Sequence, residues 1–336
     1  MKKMILTIAT GSIFFWFTPL AMAAAGAGEG SSAASGATGA ARQAAGKATS
    51  DIKGTLSNLN ETKEAANVAI GKGAVANTGT VAVKNSKVKD TISNKSNIEK
   101  SGNVAIGENA TANLGSVTVQ DGDVKGAISN KANVAKSANV AMGKMATANM
   151  GSVTMNEGSV KGSVSNSAQV EKSVNVALGE NATANLGSVT IRKGSVEGSV
   201  ENKFTASEAA NVAIGKEAIA NMGSVTMRGG TVKGSVSNEA TVAKSANAAI
   251  GENSTANMGS VTLHESHIKG VVTNKAEINE SANVAIGKNA VANMGTVAIS
   301  DSTVDGVISN TAHVSNSANV AIGEGSTANV GSLTVE

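Results

Sequence analysis

From residue 49 onward, apolar and polar residues alternate in short runs that never lengthen into a helical stripe. Between Asn103 and Ala138 the apolar positions are Val104 and Ile106, Val117 and Val119, then Val124, Ile128 and Val134, set among Gly, Asn, Ser and Thr. Alternation of period two between turn-forming residues predicts short, half-buried β-strands joined by tight turns. The whole pattern then recurs. Asn67-Val68-Ala69-Ile70-Gly71 returns at Asn103, Asn139, Asn175, Asn211, Asn247, Asn283 and Asn319, each 36 residues on, with at most one conservative change per copy and no insertion or deletion. A fixed period of this length marks a stacked array, in which one unit cannot bury its apolar side except against a copy of itself.

Three Asn columns run through all eight copies: they begin at Asn58, Asn67 and Asn77, continue at Asn94, Asn103 and Asn113, then Asn130, Asn139 and Asn149, and end at Asn310, Asn319 and Asn329. Two Gly columns, starting at Gly71 and Gly79 and continuing at Gly107 and Gly115, are equally strict. Gly and Asn tolerate positive φ, so both sets are expected where the chain turns a corner. If each period forms one layer, the Asn amides also lie one strand spacing apart and can bond along a ladder, which is compatible with turning. The halves Asn103 to Gln120 and Asp121 to Ala138 share little similarity, so one layer per period is favoured over two. The expected fold is all-β: a β-solenoid, or a Greek-key-like stacked layer, of eight 36-residue repeats over residues 49–336. In one layer Phe204 and Ala206 stand where others have Ala132 and Val134; residues two apart face the same side, so Phe204 reads as core volume that has moved.

Charge adds a further column, Lys72, Glu108, Lys144, Glu180, Lys216, Glu252, Lys288, Glu324, whose signs alternate from layer to layer. Opposite charges one strand spacing apart attract, each exposed pair by only about 0.2 to 1 kcal/mol. Duplication in 72-residue units would leave the same trace. Glu324 and Lys72 would continue the alternation across a head-to-tail junction, and neither end shows a Pro, a charge-rich segment or a distinct capping sequence. Uncapped stacks join, and a heterologous contact that does not close gives an open filament. End-to-end polymerisation is therefore expected, each subunit adding about 38 Å.

Lys2 and Lys3, an apolar run through Trp16 and Leu20, and Ala21-Met22-Ala23 mark residues 1–23 as a cleavable secretory signal. Residues 24–48, rich in Ala, Gly and Ser, read as a flexible leader. The product is expected outside the cell, with no membrane span once the signal is removed. The full chain has no cysteine, and its formal charge of +3, spread among both signs, gives no footprint for nucleic acid. His264, His267 and His313 are the only histidines, no Ser has a recurring His or Asp partner, and no phosphate-binding loop occurs, so neither an enzyme, a cofactor nor a metal site is expected. One outward array is foreseen: with Val117 and Val119 pointing in, Ser116 and Thr118 would form a hydroxyl lattice repeated at Ser152 and Thr154, of the kind that binds ice or glycans.

Ser101-Gly102-Asn103-Val104-Ala105-Ile106-Gly107-Glu108-Asn109-Ala110-Thr111-Ala112 resembles the head repeats of YadA-type trimeric autotransporter adhesins, over about a third of each repeat. The whole layout is similar to bacterial secreted functional amyloids of the curli and Fap kind, with a signal, a low-complexity leader and Asn/Gly/Ala-rich repeats that each form a layer. These resemblances imply an extracellular fibre subunit serving biofilm matrix or adhesion. Its partner would be itself, with export or nucleation machinery. The alternative they leave is a monomeric or trimeric surface-binding head, with an ice-binding solenoid as a further case.

Overall fold

The computed structural model describes residues 50–335; the predicted signal and leader, and Glu336, lie outside the described residues. Each repeat winds one coil of five strands, in the first coil β1 (Ser50–Ile52), β2 (Leu56–Lys63), β3 (Ala66–Ile70), β4 (Val75–Thr78) and β5 (Val81–Lys84). The same five recur in every coil and pair in parallel with their equivalents, giving five parallel sheets of eight strands, here named β1 to β5 after their first members. Register is the sequence period itself: Asn139 lies opposite Asn103 on one side and Asn175 on the other. The chain is a β-solenoid of eight coils, one repeat to a coil, without a Greek key.

Three apolar lobes fill the coil. The first, between the β1 and β5 sheets and the start of β2, holds Val88, Ile92, Val117 and Val119 and their equivalents. The second lies between the β3 and β4 sheets and its apolar residues are all alanine, as at Ala105, Ala110 and Ala112, with Ser254 and Ser326 in two layers, so those sheets close up to short side-chain distance. The third, between the end of β2 and the end of β4, holds Ile98, Leu114, Val134 and Met150. Phe204 belongs to this third lobe and is 1 % exposed. Its ring lies over the corner glycines Gly187 and Gly223, where a Cβ would strike it. Ala206 two residues on leaves that volume, the compensation the sequence implies.

The corners differ in chemistry. Gly71 and Gly107 have φ of +137° and +145°, and Gly79 and Gly115 have +59° and +63°, so both Gly columns do sit at turns. The Asn columns do not. Asn58, Asn67 and Asn77 lie inside β2, β3 and β4, which corrects the expectation that they turn the chain. A further corner, between β2 and β3, is made by left-handed Glu64, Lys100, Lys136 and Lys172 at φ near +50°, residues with no turn signature. Stacking in register supplies what the residue type lacks, because all coils must take the same conformation for their strands to pair.

Candidate functional site

No side-chain cluster resembles a reaction centre among the described residues, and none there groups three metal-ligating side chains. His264 and His267 fall on successive strands around a corner, and His264 Nδ1 meets Ser300 Oγ at 2.9 Å. What repeats is a set of surfaces and ladders, and these are the candidates for function.

Each Asn column is a complete amide ladder. In the first, Asn58 Nδ2 donates to Asn94 Oδ1 at 2.7 Å and Asn94 to Asn130 at 2.8 Å, and so on to Asn310. In the second, Asn67 donates to Asn103 at 3.0 Å, Asn103 to Asn139 at 2.7 Å and Asn139 to Asn175 at 2.8 Å. The second Nδ2 hydrogen of Asn139 is shared between the carbonyls of Ala112 and Asn149, at 3.0 and 3.1 Å, tying β3 to β4 across the alanine lobe. The third ladder runs the other way: Asn113 donates back to Asn77 at 2.8 Å and Asn149 back to Asn113 at 2.9 Å. Interior members are buried, so each bond is made where an orphaned amide would be costly.

The two end faces follow from this polarity. On the first coil Asn58 and Asn67 offer Oδ1 acceptors and Asn77 an Nδ2 donor, with no coil before them among the described residues. On the last, Asn319 keeps its carbonyl bonds to Ala292 and Asn329, Asn310 Nδ2 turns to the Ser332 carbonyl at 3.1 Å, and Asn329 Oδ1 receives no donor from a described residue. Val335 is 65 % exposed there, whereas Val119, Ile191 and Leu263 in the same column are buried. One expectation about the ends needs correction. The first coil carries Asn60, Thr62 and Thr78 where the third lobe elsewhere has Ala132, Val134 and Met150, and Asn60 and Thr62 bond to each other at 2.8 Å. That lobe is polar at one end, as in a capping repeat; the other two lobes are apolar at both ends.

The charge column is paired two by two. Lys72 meets Glu108 at 3.3 Å, Lys144 meets Glu180 at 3.5 Å, and Lys216–Glu252 and Lys288–Glu324 are each 3.8 Å, but no ion pair joins Glu108 to Lys144 among the described residues. All eight side chains are half or more exposed, so the pairs contribute little.

Two faces were not foreseen. In the β3 sheet the inward residues are Asn103 and Ala105, and the large aliphatics Val104 and Ile106 point out. With Met142, Leu178 and Ile214 in the same file, and small apolar residues at Ala138 and Ala210, the outer face of this sheet is apolar from end to end. The expected hydroxyl lattice is absent. Ser116, Ser152 and Ser188 are fully buried, the one hydroxyl hydrogen of Ser152 being shared between the Met150 and Asn185 carbonyls, each 3.0 Å from Oγ, because the Gly115 corner folds the β4 and β5 sheets into a concave angle. The Thr118 hydroxyl is buried in that angle instead of lying on a flat face, and its equivalent Thr154 meets Asn149 Oδ1 there at 3.4 Å. No family model, curated protein or solved structure matches the chain.

Proposed function

We propose that the protein is a secreted structural subunit that stacks head to tail into an extracellular, amyloid-like fibre serving biofilm matrix or adhesion. The observation that carries this reading is the polarity of the amide ladders. A second copy docked on the last coil brings its Asn58 and Asn67 acceptors to the Asn310 and Asn319 donors, and its Asn77 donor to the Asn329 acceptor. The first and second lobes meet like with like across the junction, Leu333 and Val335 facing Val81 and Val83. Only the third lobe is mismatched, which makes the junction weaker than an interior step and lets subunits exist singly at low concentration.

The test is Val335→Glu. The side chain is exposed in the single molecule, so the fold is undisturbed, while at the junction a carboxylate would be buried without a partner at a cost of several kcal/mol. Filaments seen by electron microscopy, with a meridional reflection near ~4.7 Å, should be lost in Val335→Glu, whose elongation falls by about a hundredfold or more. They should be retained in Val335→Leu, since Leu263 already occupies this column. Equal growth of both variants would overturn the reading.

A second reading, a multimeric adhesin head, is favoured by the apolar outer face of the β3 sheet. Eight strands at ~4.8 Å spacing by five residues make about 600 Å² on each partner, the lower bound of a specific interface when two copies pack face to face. Val140→Lys with Val176→Lys should abolish lateral pairing in sedimentation and leave end-to-end growth intact; a wild type sedimenting as a single solenoid at high concentration would count against it.

A further inference from the structure

The concave angle between the β4 and β5 sheets runs along the solenoid as a groove. Over the later coils it has a volume of about 270 Å³ and is lined by polar groups from several layers, among them the partly exposed Thr255, His264, Ser300 and Thr334. Arg228 lines it too, and Arg192 occupies the same column one coil earlier, directly in register with it. These are the only arginines after Arg42 in the chain, and they stand next to each other.

The placement is unfavourable as it stands. Like charges opposite one another on neighbouring strands repel by up to about 1 kcal/mol. Elsewhere this chain bridges adjacent coils with Lys–Glu pairs, as at Lys100–Glu64 and Lys275–Glu239. The arginines have no such partner among the described residues: the ion pairs nearest along their turn join Lys193 to Glu157 and bring His264 near Glu265 and Asp301. The Arg192 side chain reaches only the Thr183 hydroxyl, at 3.4 Å. Burial, and secondarily the neighbouring Arg228, press its guanidinium below the ordinary arginine range. A half-buried cation beside a second cation is a local conflict that neither packing nor pairing within the chain relieves.

We infer that this groove binds an anionic glycan, a linear polysaccharide bearing carboxylates, held by the Arg192 and Arg228 guanidiniums and flanked by the partly exposed polar side chains of Thr255, His264 and Ser300. The guanidinium fork matches a carboxylate in geometry and charge. The partly exposed Thr255 hydroxyl and the His264 and Ser300 side chains, which line the same groove, offer donors and acceptors to sugar hydroxyls beside the charged centre. The site lies on one molecule, so it does not depend on fibre formation.

The test is titration of the dilute, soluble full chain with an oligogalacturonate, with galacturonic acid itself, and with a neutral cello-oligosaccharide of the same length, followed by calorimetry and by amide shifts of the groove strands. The oligogalacturonate should bind best, and Arg192→Gln and Arg228→Gln should each weaken it about tenfold. Gln120 already stands in this column, so these variants should fold normally and melt no lower than the wild type, the repulsion having been removed. Undiminished binding in the double variant, equal binding of the neutral oligomer, equal binding of the monosaccharide, or no binding at all would each overturn the inference.

Discussion

If the amide ladders hold the coils together, Asn139→Ala should cost far more than its size suggests. The side chain is fully buried, receives Asn103 Nδ2 at 2.7 Å and gives to Asn175 Oδ1 at 2.8 Å. Truncation leaves an unpaired amide atom on Asn103 and on Asn175, and it also removes the hydrogen shared by the Ala112 and Asn149 carbonyls. The two ladder amides alone, at about 1 to 3 kcal/mol each, account for a loss of about 4 kcal/mol. Asn319→Ala provides the internal reference. Asn319 accepts from Asn283 at 2.8 Å and keeps the bonds to the Ala292 and Asn329 carbonyls, but gives to no further ladder amide among the described residues, so Asn319→Ala should cost less by about the 1 to 3 kcal/mol of one ladder bond. The difference between the two is more informative than either number, since the carbonyl bonds common to both sites cancel in it. Both should be measured in the Val335→Glu background, which keeps Asn319 at an end. A repeat array can unfold from its ends, so global denaturation should be joined by local hydrogen exchange over Ala138–Met142. A loss below about 1 kcal/mol for Asn139→Ala, or no greater than for Asn319→Ala, would refute the view that the ladders stabilise the stack.

Glycine substitution separates strain from stacking: a Cβ at Gly143 would land on the Gly107 carbonyl, whereas one at Gly71, at nearly the same φ, meets nothing within 4 Å. Both alanine variants carry about 1 to 3 kcal/mol of backbone strain, but only Gly143→Ala should fail to fold; Gly71→Ala should fold and not elongate, and equal melting temperatures would contradict this. Phe204→Ala should lose about 3 to 5 kcal/mol by cavity formation, and adding Ala206→Val, which restores the pattern of Ala132 and Val134, should recover more than half of it in denaturant titration. The Lys100 ammonium, hydrogen-bonded to Glu64 at 2.9 Å, holds that carboxyl below its usual range, so the pair favours the fold above the ordinary carboxylate range and loses that effect as pH falls through the folded value. Lys100→Ala should raise the Glu64 titration midpoint seen by NMR, with no measurable change in stability because the pair is fully exposed.

The period, the layer and the register were legible because a spacing of 36 without an indel admits only one alignment of coil on coil. Phe204 was legible because its partner change at Ala206 lies two residues away on the same face. The outer apolar face was not. Alternation tells which residues share a side but not which side is inner, and in β3 the short Asn and Ala go inside because the alanine lobe leaves no room for Val104 and Ile106. The Ser116 file misled for a related reason: parity places it outside the β5 strand, but the Gly115 corner turns that side into the angle between two sheets. The left-handed Lys and Glu corners leave no composition signal, and the arginine pair becomes visible only when residues 36 apart are set side by side.

Direction of assembly follows from the amides and lobes more than from charge. Lys288 already pairs with Glu324, and the step that a junction would add, Glu324 to Lys72, is of the Glu108-to-Lys144 kind that is left open inside the solenoid. An exposed pair of that sort would contribute at most about 1 kcal/mol even if formed. Three amide bonds and two apolar lobes act in the same place, and they are directional: two last coils set face to face would oppose the Asn310 and Asn319 donors to one another and Asn329 Oδ1 to itself. Glu324→Lys should therefore alter filament growth by less than about fivefold, with the effect vanishing at high salt, while Val335→Glu stops it. A block to growth by Glu324→Lys as complete as that of Val335→Glu would mean that charge, not ladder polarity, sets the junction.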